Sequence, residues 1–584
     1  MLGALAAAIW CLDFEFTQGP GERPVPICMV AHEVRTGCTM RMWLQPPPPC
    51  PFDPYEDAVF VAYMAAAEAS CFLAMGWPVP PRWLDLLVEF RVATNGIVPP
   101  GKRGLLNALA YFGLSGISLD EKDQGRELAM RGAPFAEWEA VALFAYNESD
   151  VTALRLLLLA MLPSIDWERA VELRGRYMVA TARMQHLGIP IDVERLHILK
   201  KRWPEIQRNL MLLASYRYAV NGRGAYNHGS FDARVFEAYL LRRGIRWPRH
   251  AGSGRLKLDD DTFKMLTDAH PELRRLRDTR TALSQWRMTD LPVGADGRNR
   301  TALWAFSSRT GRTQPSTSEF IFGPAVWLRG LIKPDPGMAV AYVDLKAAEW
   351  GIAAALSGDA RMQSAYRSGD PYLRFAELAR ETLIEARRKR PAYKIAGLGV
   401  LYGMGPDALA AGINDTVAQA RWLMGKHRSL FPQFWKWSDA ASTVASLYGH
   451  LETSWGWALQ LPGDSGEGVN QHLTAAKWDR TSRNFLVQAT GADLLRVIIM
   501  ELQDRGVSVI APVHDAVLIE ATIDTIDQAV ETTELVMAEV SEAMLGIALI
   551  AEVDQVVRYP ARFMDEKRGR ETWNTVWKML GVEP

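Results

Sequence analysis

Two apolar, β-rich segments in the C-terminal half of the chain each contain an acid where the apolar run stops. Residues 337–345 are typical of a buried strand whose apolar run stops at Asp344. Residues 507–520 are typical of a hairpin with His514 and Asp515 at its turn. Each acid alone suits a helix cap or a turn. Together, two rigidly held carboxylates can bind divalent cations.

Between these segments lies a helical pattern with cations at its start. Four side chains recur at every fourth position: Arg390, Lys394, Leu398 and Tyr402. This spacing places them on one stripe of a helix. We predict that the helix begins near Pro391 and ends near Gly403, so that its first N–H groups and the cations favour an anion. Gly397 and Gly399 each cost a helix about 1 kcal/mol, which indicates close approach by another part of the protein.

Length and composition limit the class of protein. The chain has 584 residues, of which 48% are apolar and 23% charged, as expected for three or four globular domains. A formal charge of -1 excludes a uniformly basic nucleic-acid coat but leaves room for local basic tracts. The 5 cysteines form no CxxC pair, and no apolar run reaches the roughly 18 residues of a membrane helix. We expect a cytoplasmic protein that makes no membrane contact.

Five segments, in order along the chain, resemble motifs of family A DNA polymerases, the bacterial DNA polymerase I group. They are residues 310–312, 344–349, 390–403, 480–488 and 513–515. The second, third and fifth are similar to the family's A, B and C motifs. The first is similar to the Thr-Gly-Arg that opens the palm, and the fourth to the helix that follows the primer–template minor groove.

The resemblance implies a catalytic centre. Asp344 and Asp515, with the backbone carbonyl of Leu345, would hold two Mg²⁺ ions, and Mn²⁺ is an alternative metal. Arg390 and Lys394 would bind the β- and γ-phosphates of an incoming nucleotide, and Lys394 would donate a proton to pyrophosphate.

The resemblance also implies residues that select the substrate. Glu349 would pack against Tyr402 and exclude a ribose 2′-OH, which favours dNTPs over NTPs. Arg312 and Gln488 would donate to minor-groove acceptors that every correct base pair presents. His514 would lie near the primer terminus.

Other positions complete or depart from the family pattern. Arg480 and Asn484 share the predicted DNA-following helix with Gln488. Leu398 stands where the family usually has Phe or Tyr, so an aromatic platform for the nucleotide is missing. Ala516 replaces a common acid after Asp515, which leaves two secure metal ligands.

The N-terminal segment carries a second set of acids. Asp13 and Glu15 share one face of a predicted strand, where buried acids are costly unless they bind cations. Tyr146 and Asp150 lie one turn apart at the predicted start of a helix. This order resembles a DEDDy 3′–5′ exonuclease domain. It implies that Asp13, Glu15 and Asp150 bind two Mg²⁺ ions and that Tyr146 orients the attacking water.

The fourth exonuclease acid stays open. Glu68 occupies the register where the family has Asp, and Asp85 is the alternative. A domain that is retained but inactive is the competing interpretation.

The expected fold class is multidomain, α/β and α+β. An RNase H-like exonuclease domain (residues 1–162) would precede a right-hand polymerase. Its parts would be a mainly helical thumb region (163–300), a first palm segment (301–360), fingers (361–470) and a second palm segment (471–584). We expect no N-terminal 5′-nuclease domain, as in a phage-type enzyme.

These patterns favour a template-directed DNA polymerase with proofreading activity. Two alternatives are a single-subunit RNA polymerase-like enzyme, disfavoured by Glu349, and a non-catalytic primer–template binding protein, disfavoured by Asp344 and Asp515. Expected partners are primer–template DNA, dNTPs and replisome proteins. We expect a monomer in a bacterial cell or a phage-infected host.

Overall fold

A computed structural model describes most of the chain. The described residues are 7–53, 56–98, 103–114, 119–227, 229–250, 252–284, 291–316, 318–323, 325–460 and 475–583. Within these ranges, no helix has both the length and the apolar character needed to cross a bilayer.

The strands group into two main sheets and several short ribbons. They are β1 (Ala8–Thr17), β2 (Val25–Glu33), β3 (Thr39–Trp43), β4 (Ala58–Ala62), β5 (Trp83–Asp85), β6 (Ile189–Pro190), β7 (Tyr226–Asn227), β8 (Ser230–Phe231), β9 (Arg298–Asn299), β10 (Leu303–Trp304), β11 (Gln314–Pro315), β12 (Met338–Leu345), β13 (His450–Glu452), β14 (Ala458–Gln460), β15 (Ser508–Val513), β16 (Ala516–Thr522) and β17 (Ala551–Arg558).

The α-helices surround these sheets and fill the segments between them. They are α1 (Ala65–Met75), α2 (Leu86–Thr94), α3 (Leu105–Tyr111), α4 (Leu119–Arg131), α5 (Glu137–Met161), α6 (Arg176–Leu187), α7 (Val193–Arg217), α8 (Ala233–Arg243), α9 (Asp260–Ala269), α10 (Arg274–Ser284), α11 (Ala348–Ser357), α12 (Ala360–Arg367), α13 (Pro371–Leu378), α14 (Leu383–Leu401), α15 (Pro406–Ile413), α16 (Val417–Leu430), α17 (Pro432–Tyr448), α18 (Ala475–Asp504), α19 (Ile526–Leu545) and α20 (Arg570–Met579).

The N-terminal sheet is mixed, with strand order β3-β2-β1-β4-β5. Strand β1 pairs antiparallel with β2 and parallel with β4. Because side chains alternate along a strand, Ile9 and Cys11 share a core with Leu157 of α5, whereas Phe14 packs with Phe72 of α1 on the other face. Asp13 and Glu15 lie on the same face of β1 as Ile9 and Cys11.

The second main sheet is antiparallel, with strand order β15-β16-β12-β17. Strand β12 is central and pairs with β16 on one side and β17 on the other. Most of its apolar residues are buried, including Val340, Ala341 and Val343. The predicted strand and hairpin are therefore confirmed, and the turn of the hairpin contains His514 with a φ of 60°.

Two predicted helix starts are wrong. The cationic helix α14 begins at Leu383, where Thr382 caps it, so Pro391 lies inside the helix. Arg390 and Lys394 are therefore far from the free N–H groups of the first turn, so the prediction that they act together with these groups is wrong. Helix α5 begins at Glu137, well before Tyr146. Residues upstream continue the helix in both cases: they are mainly charged in α14 and mainly apolar in α5. The predicted end of α14 near Gly403 is confirmed.

Candidate active sites

The structure brings Asp344 and Asp515 together; we call them the acid pair. Asp344 lies opposite Ala516 in the register of β12 and β16, so Asp515 is next to it at the hairpin turn. The Leu345 N–H donates to the Asp515 carbonyl oxygen over 3.3 Å. Sheet pairing thus fixes the distance between two acids that are far apart in the chain.

The acid pair is electrostatically suited to bind cations. Burial, followed by the charge and hydrogen bonding of Asp515, raises the pKa of Asp344 to about 7. Asp344 Oδ1 is buried and accepts no hydrogen bond from the described residues. A cation would supply the missing partner and relieve the repulsion, so the donor set fits a divalent metal ion.

Strand β17 places further acids near the acid pair, and the sequence did not single them out. Glu552 lies opposite Asp344 in the register, and its carboxylate is 3.6 Å from the Lys346 ammonium. The pairing is irregular between Tyr342 and Val343, whose partners are Gln555 and Val553, so Asp554 has no partner across the ladder. The charge of Asp554 contributes to the raised pKa of Asp344.

The cations of helix α14 contact an acid and an aromatic ring that the motifs did not include. The Arg390 guanidinium forms an ion pair with Asp370, which caps α13. Arg390 and Lys394 lie 5.7 and 5.8 Å from the ring centre of Tyr372. Asp370-Pro371 has the typical pattern of a helix start, so the sequence alone gave no sign that Asp370 pairs with Arg390.

Glu349 lies between Tyr402 and Arg312. The Tyr402 hydroxyl donates a hydrogen bond to Glu349, and the Arg312 guanidinium is 3.6 Å from the same carboxylate. The side chain of Gln488 also hydrogen-bonds with Tyr402. Burial and the hydrogen bond to Glu349 raise the pKa of Tyr402. Residues from four separate motifs therefore meet at one point.

The glycines inside α14 allow the close approach that the sequence predicts. A Cβ on Gly397 would lie 2.8 Å from the ring of Trp350, which follows Glu349. A Cβ on Gly399 would lie 3.0 Å from the sulfur of Met404. Gly397 thus lets α14 pack directly against α11.

The remaining predicted DNA-contacting residues lie around this cluster. Arg480 and His514 are exposed, whereas Leu398 and Asn484 are half-buried. A Cβ on Gly403 would lie 2.8 Å from Arg480 Cγ, so α18 contacts the end of α14 there.

Arg496 is a buried residue that the motifs missed. It donates to the Gly311 carbonyl over 2.7 Å and forms an ion pair with Asp493. Its guanidinium lies 4.2 Å from the ring centre of Phe306. Arg496 therefore holds the turn that precedes Arg312, and its pairing with Asp493 at i,i+3 was the available sequence signal.

The N-terminal acids Asp13, Glu15 and Asp150 form a second centre, which we call the acid cluster. Each offers a carboxylate oxygen, and these oxygens lie within 4.8 Å of one another. Glu15 and Asp150 are buried, with 8% and 7% of their surface exposed. Three carboxylates at this separation fit one or more divalent cations.

Tyr146 lies beside the acid cluster. Its hydroxyl hydrogen-bonds with Asp150. Burial and the charges of Asp150, Glu15 and Asp13 raise the pKa of this hydroxyl. Tyr146 therefore remains a neutral hydrogen-bonding group.

The two candidates for the fourth acid have different environments. Glu68 is buried, accepts from the Phe14 N–H over 3.0 Å, and has its pKa raised by burial and by Asp13. Asp85 accepts from the N–H groups of Ala65 and Val88, at the starts of α1 and α2. Asp85 therefore caps two helices, whereas Glu68 lies close enough to Asp13 and Glu15 for their charges to raise its pKa.

The C-terminal part of the chain is similar to a known family of proteins. Residues 314–559 match the family model for DNA polymerase family A. The chain is 24% identical over 385 residues to the thermostable DNA polymerase I of Thermus filiformis, a match that covers 61% of this chain and 44% of that protein. It is 22% identical over 347 residues to the DNA polymerase of Mycobacterium phage L5, covering 57% and 53%.

A match to DNA polymerase I of Deinococcus radiodurans is 26% identical over 229 residues and covers 38% of this chain and 23% of that protein. The chain thus spans about half, or less, of the length of these curated relatives. A solved structure of the POL domain of Pol1 from M. smegmatis, in complex with DNA primer-template and dNTP, is similar with a TM-score of 0.69. The identity is 18% and the match covers 93% of this chain and 94% of that one, which shows a shared fold.

Proposed function

The chain belongs to DNA polymerase family A, and we propose that it is a template-directed DNA polymerase that extends a primer 3′ end with dNTPs. The observation that carries this proposal is the contact between the side chains of Asp344 and Asp515. The cationic helix α14 is the second part of the proposed site. Family membership and the shared fold support the same reaction.

The acid pair would hold two Mg²⁺ ions, with the Leu345 carbonyl as a further ligand. When bound, these ions favour ionisation of the primer 3′-hydroxyl and neutralise charge on the leaving pyrophosphate. The buried, unpartnered Asp344 Oδ1 supports this role, because it lacks any other hydrogen-bond partner among the described residues.

The cations of α14 would bind the triphosphate. Arg390 exchanges Asp370 for phosphate oxygens, and Lys394 donates a proton to pyrophosphate. Tyr372, which packs against both cations, limits their movement.

Glu349 would exclude ribonucleotides. Its hydrogen bond with Tyr402 fixes the carboxylate, so a ribose 2′-hydroxyl would meet a filled position. Arg312 and Gln488, which contact the same pair, would donate to the minor groove of the terminal base pair, followed by Asn484 and Arg480 along α18.

We also propose a 3′–5′ proofreading exonuclease in the N-terminal part, residues 1–162. The acid cluster, with Glu68 as the fourth acid, would hold two Mg²⁺ ions, and Tyr146 would orient the attacking water. The grouping of three carboxylates around the Tyr146 hydroxyl supports this activity.

The domain boundaries, a monomeric state, a location in the cytoplasm and contact with replisome proteins remain proposals. Primer–template DNA and dNTPs are the proposed substrates.

Two variants test both activities on a primed template. Asp515→Asn is expected to abolish primer extension and to leave 3′ trimming intact. The double variant Asp13→Ala/Glu15→Ala is expected to do the reverse. Extension that survives in Asp515→Asn would refute the polymerase site. Efficient use of NTPs in place of dNTPs would favour an RNA polymerase-like enzyme.

A further inference from the structure

Helix α4 contains a glycine, Gly125, well inside the helix. Glycine destabilises a helix interior relative to alanine, because it loses more backbone freedom on folding. A glycine at this position is explained if a neighbouring group leaves no space for a side chain. The structure supplies such a group in α5, which packs against α4.

The contact is between Gly125 and the ring of Tyr146. A Cβ built on Gly125 would lie 2.4 Å from Tyr146 Cγ, 2.5 Å from Cδ1 and 2.8 Å from Cδ2. Such distances are well below ordinary van der Waals contact. Because Cγ is the ring atom nearest the backbone, the ring can escape such a Cβ only by rotating about χ1 or by separation of the two helices.

The other end of the same ring lies at the acid cluster. The Tyr146 hydroxyl hydrogen-bonds with Asp150 and is close enough to Glu15 and Asp13 to feel their charges. A rotation forced at the base of the ring therefore displaces the hydroxyl from the carboxylates.

We propose that Gly125 is a positioning residue of the exonuclease. Because Gly125 has no side chain, α4 can pack directly against the Tyr146 ring. This packing keeps the Tyr146 hydroxyl beside Asp150. This inference rests on the proposed exonuclease role of Tyr146. In this proposal Gly125 acts only through the Tyr146 ring.

A thermal-unfolding cycle tests the contact without relying on activity. Gly125→Ala is expected to lower Tm in the wild-type background, because the new methyl group meets the ring. In a Tyr146→Ala background the same change is expected to raise Tm, because the ring is gone and alanine favours the helix. An equal change in Tm in both backgrounds would overturn the contact.

A kinetic cycle with the same four proteins tests the positioning role. Gly125→Ala is expected to lower the kcat for 3′ trimming to that of Tyr146→Ala, and the double variant is expected to be no slower than either. Primer extension should stay unchanged. Multiplicative losses in the double variant, or full trimming by Gly125→Ala, would overturn the proposal.

A matched control is Gly425→Ala in α16, where a Cβ would meet nothing within 4 Å. This change is expected to raise Tm slightly and to alter neither activity. A wild-type protein that does not trim at all would instead remove the exonuclease proposal, and the Gly125 role with it. If the wild-type protein trims but the cycles do not give the expected results, only the proposed role of Gly125 is refuted.

Discussion

The acid pair and the acid cluster assemble carboxylates in different ways. In the acid cluster, Asp13 and Glu15 come from one strand, and one helix adds Asp150. In the acid pair, Asp344 lies near the end of β12 and Asp515 lies in the turn between β15 and β16, and sheet pairing brings the two together. The cluster therefore depends mostly on local alternation, whereas the pair depends on long-range register.

The two centres also differ in how many acids they contain. The acid cluster has three close carboxylates, and the charges of two of them raise the pKa of Glu68. The acid pair has two, and Asp554 and Glu552 lie on the neighbouring strand. Loss of one carboxylate should therefore be more damaging in the acid pair than in the acid cluster.

The largest effect is expected for Asp344→Asn. Removing one charge from the acid pair should lower the rate of primer extension by roughly 10³-fold or more, because a single carboxylate remains to hold the metal ions. Single-turnover extension is the measurement, and 3′ trimming should be unchanged. Asp554→Asn is the control and should reduce extension less. Equal losses in the two variants would show that the centre has more than two essential acids.

A smaller effect is expected for Glu68→Gln. Trimming should fall by about 10- to 100-fold, because the proposed fourth acid lies outside the group of three closely spaced carboxylates and should contribute less than each of them. Asp85→Ala is the matched control, since it should lower the free energy of unfolding by about 1–3 kcal/mol through loss of two helix caps without reducing kcat. The reverse outcome would make Asp85 the fourth acid.

Sugar selection should belong to the polymerase centre alone. In an Asp13→Ala/Glu15→Ala background, which removes trimming, Glu349→Ala should raise the use of NTPs relative to dNTPs by about 10²-fold. Tyr402→Phe should raise it less, because the carboxylate stays and loses only one hydrogen bond. The ratio of kcat/KM for dNTP and NTP is the readout. An unchanged ratio in Glu349→Ala would contradict the proposed role.

The smallest effect is expected for the pH dependence of Tm in Asp344→Asn, measured without divalent metals. The pKa of Asp344 is raised to about 7, so the folded protein binds more protons than the unfolded chain between about pH 4 and 7. The free energy of unfolding should therefore fall as pH rises from about 4 to 7, because ionisation of Asp344 costs more in the folded protein than in the unfolded chain. Asp344→Asn should raise Tm relative to wild type at pH 8 and have little effect near pH 4. A Tm difference that does not change with pH would contradict this assignment.

The sequence predicted features that depend on neighbours in the chain. Strand alternation placed Asp13 and Glu15 on one face, and the end of an apolar run placed Asp344 at a strand end. The glycines of α14 correctly predicted close approach, although not that Trp350 is the neighbour. The predicted helix start failed because Pro391 suits a first turn but also fits inside a helix capped earlier.

The residue order was enough to assign side chains to one strand face or one helix stripe, because backbone geometry sets both periods. Three contacts depend on the tertiary fold: the ion pair of Arg390 with Asp370, the hydrogen bond from the Ala65 N–H to Asp85, and the approach of Gly125 to Tyr146. These contacts join segments whose separation in space is set by sheet register and helix packing, which no local pattern of residues encodes.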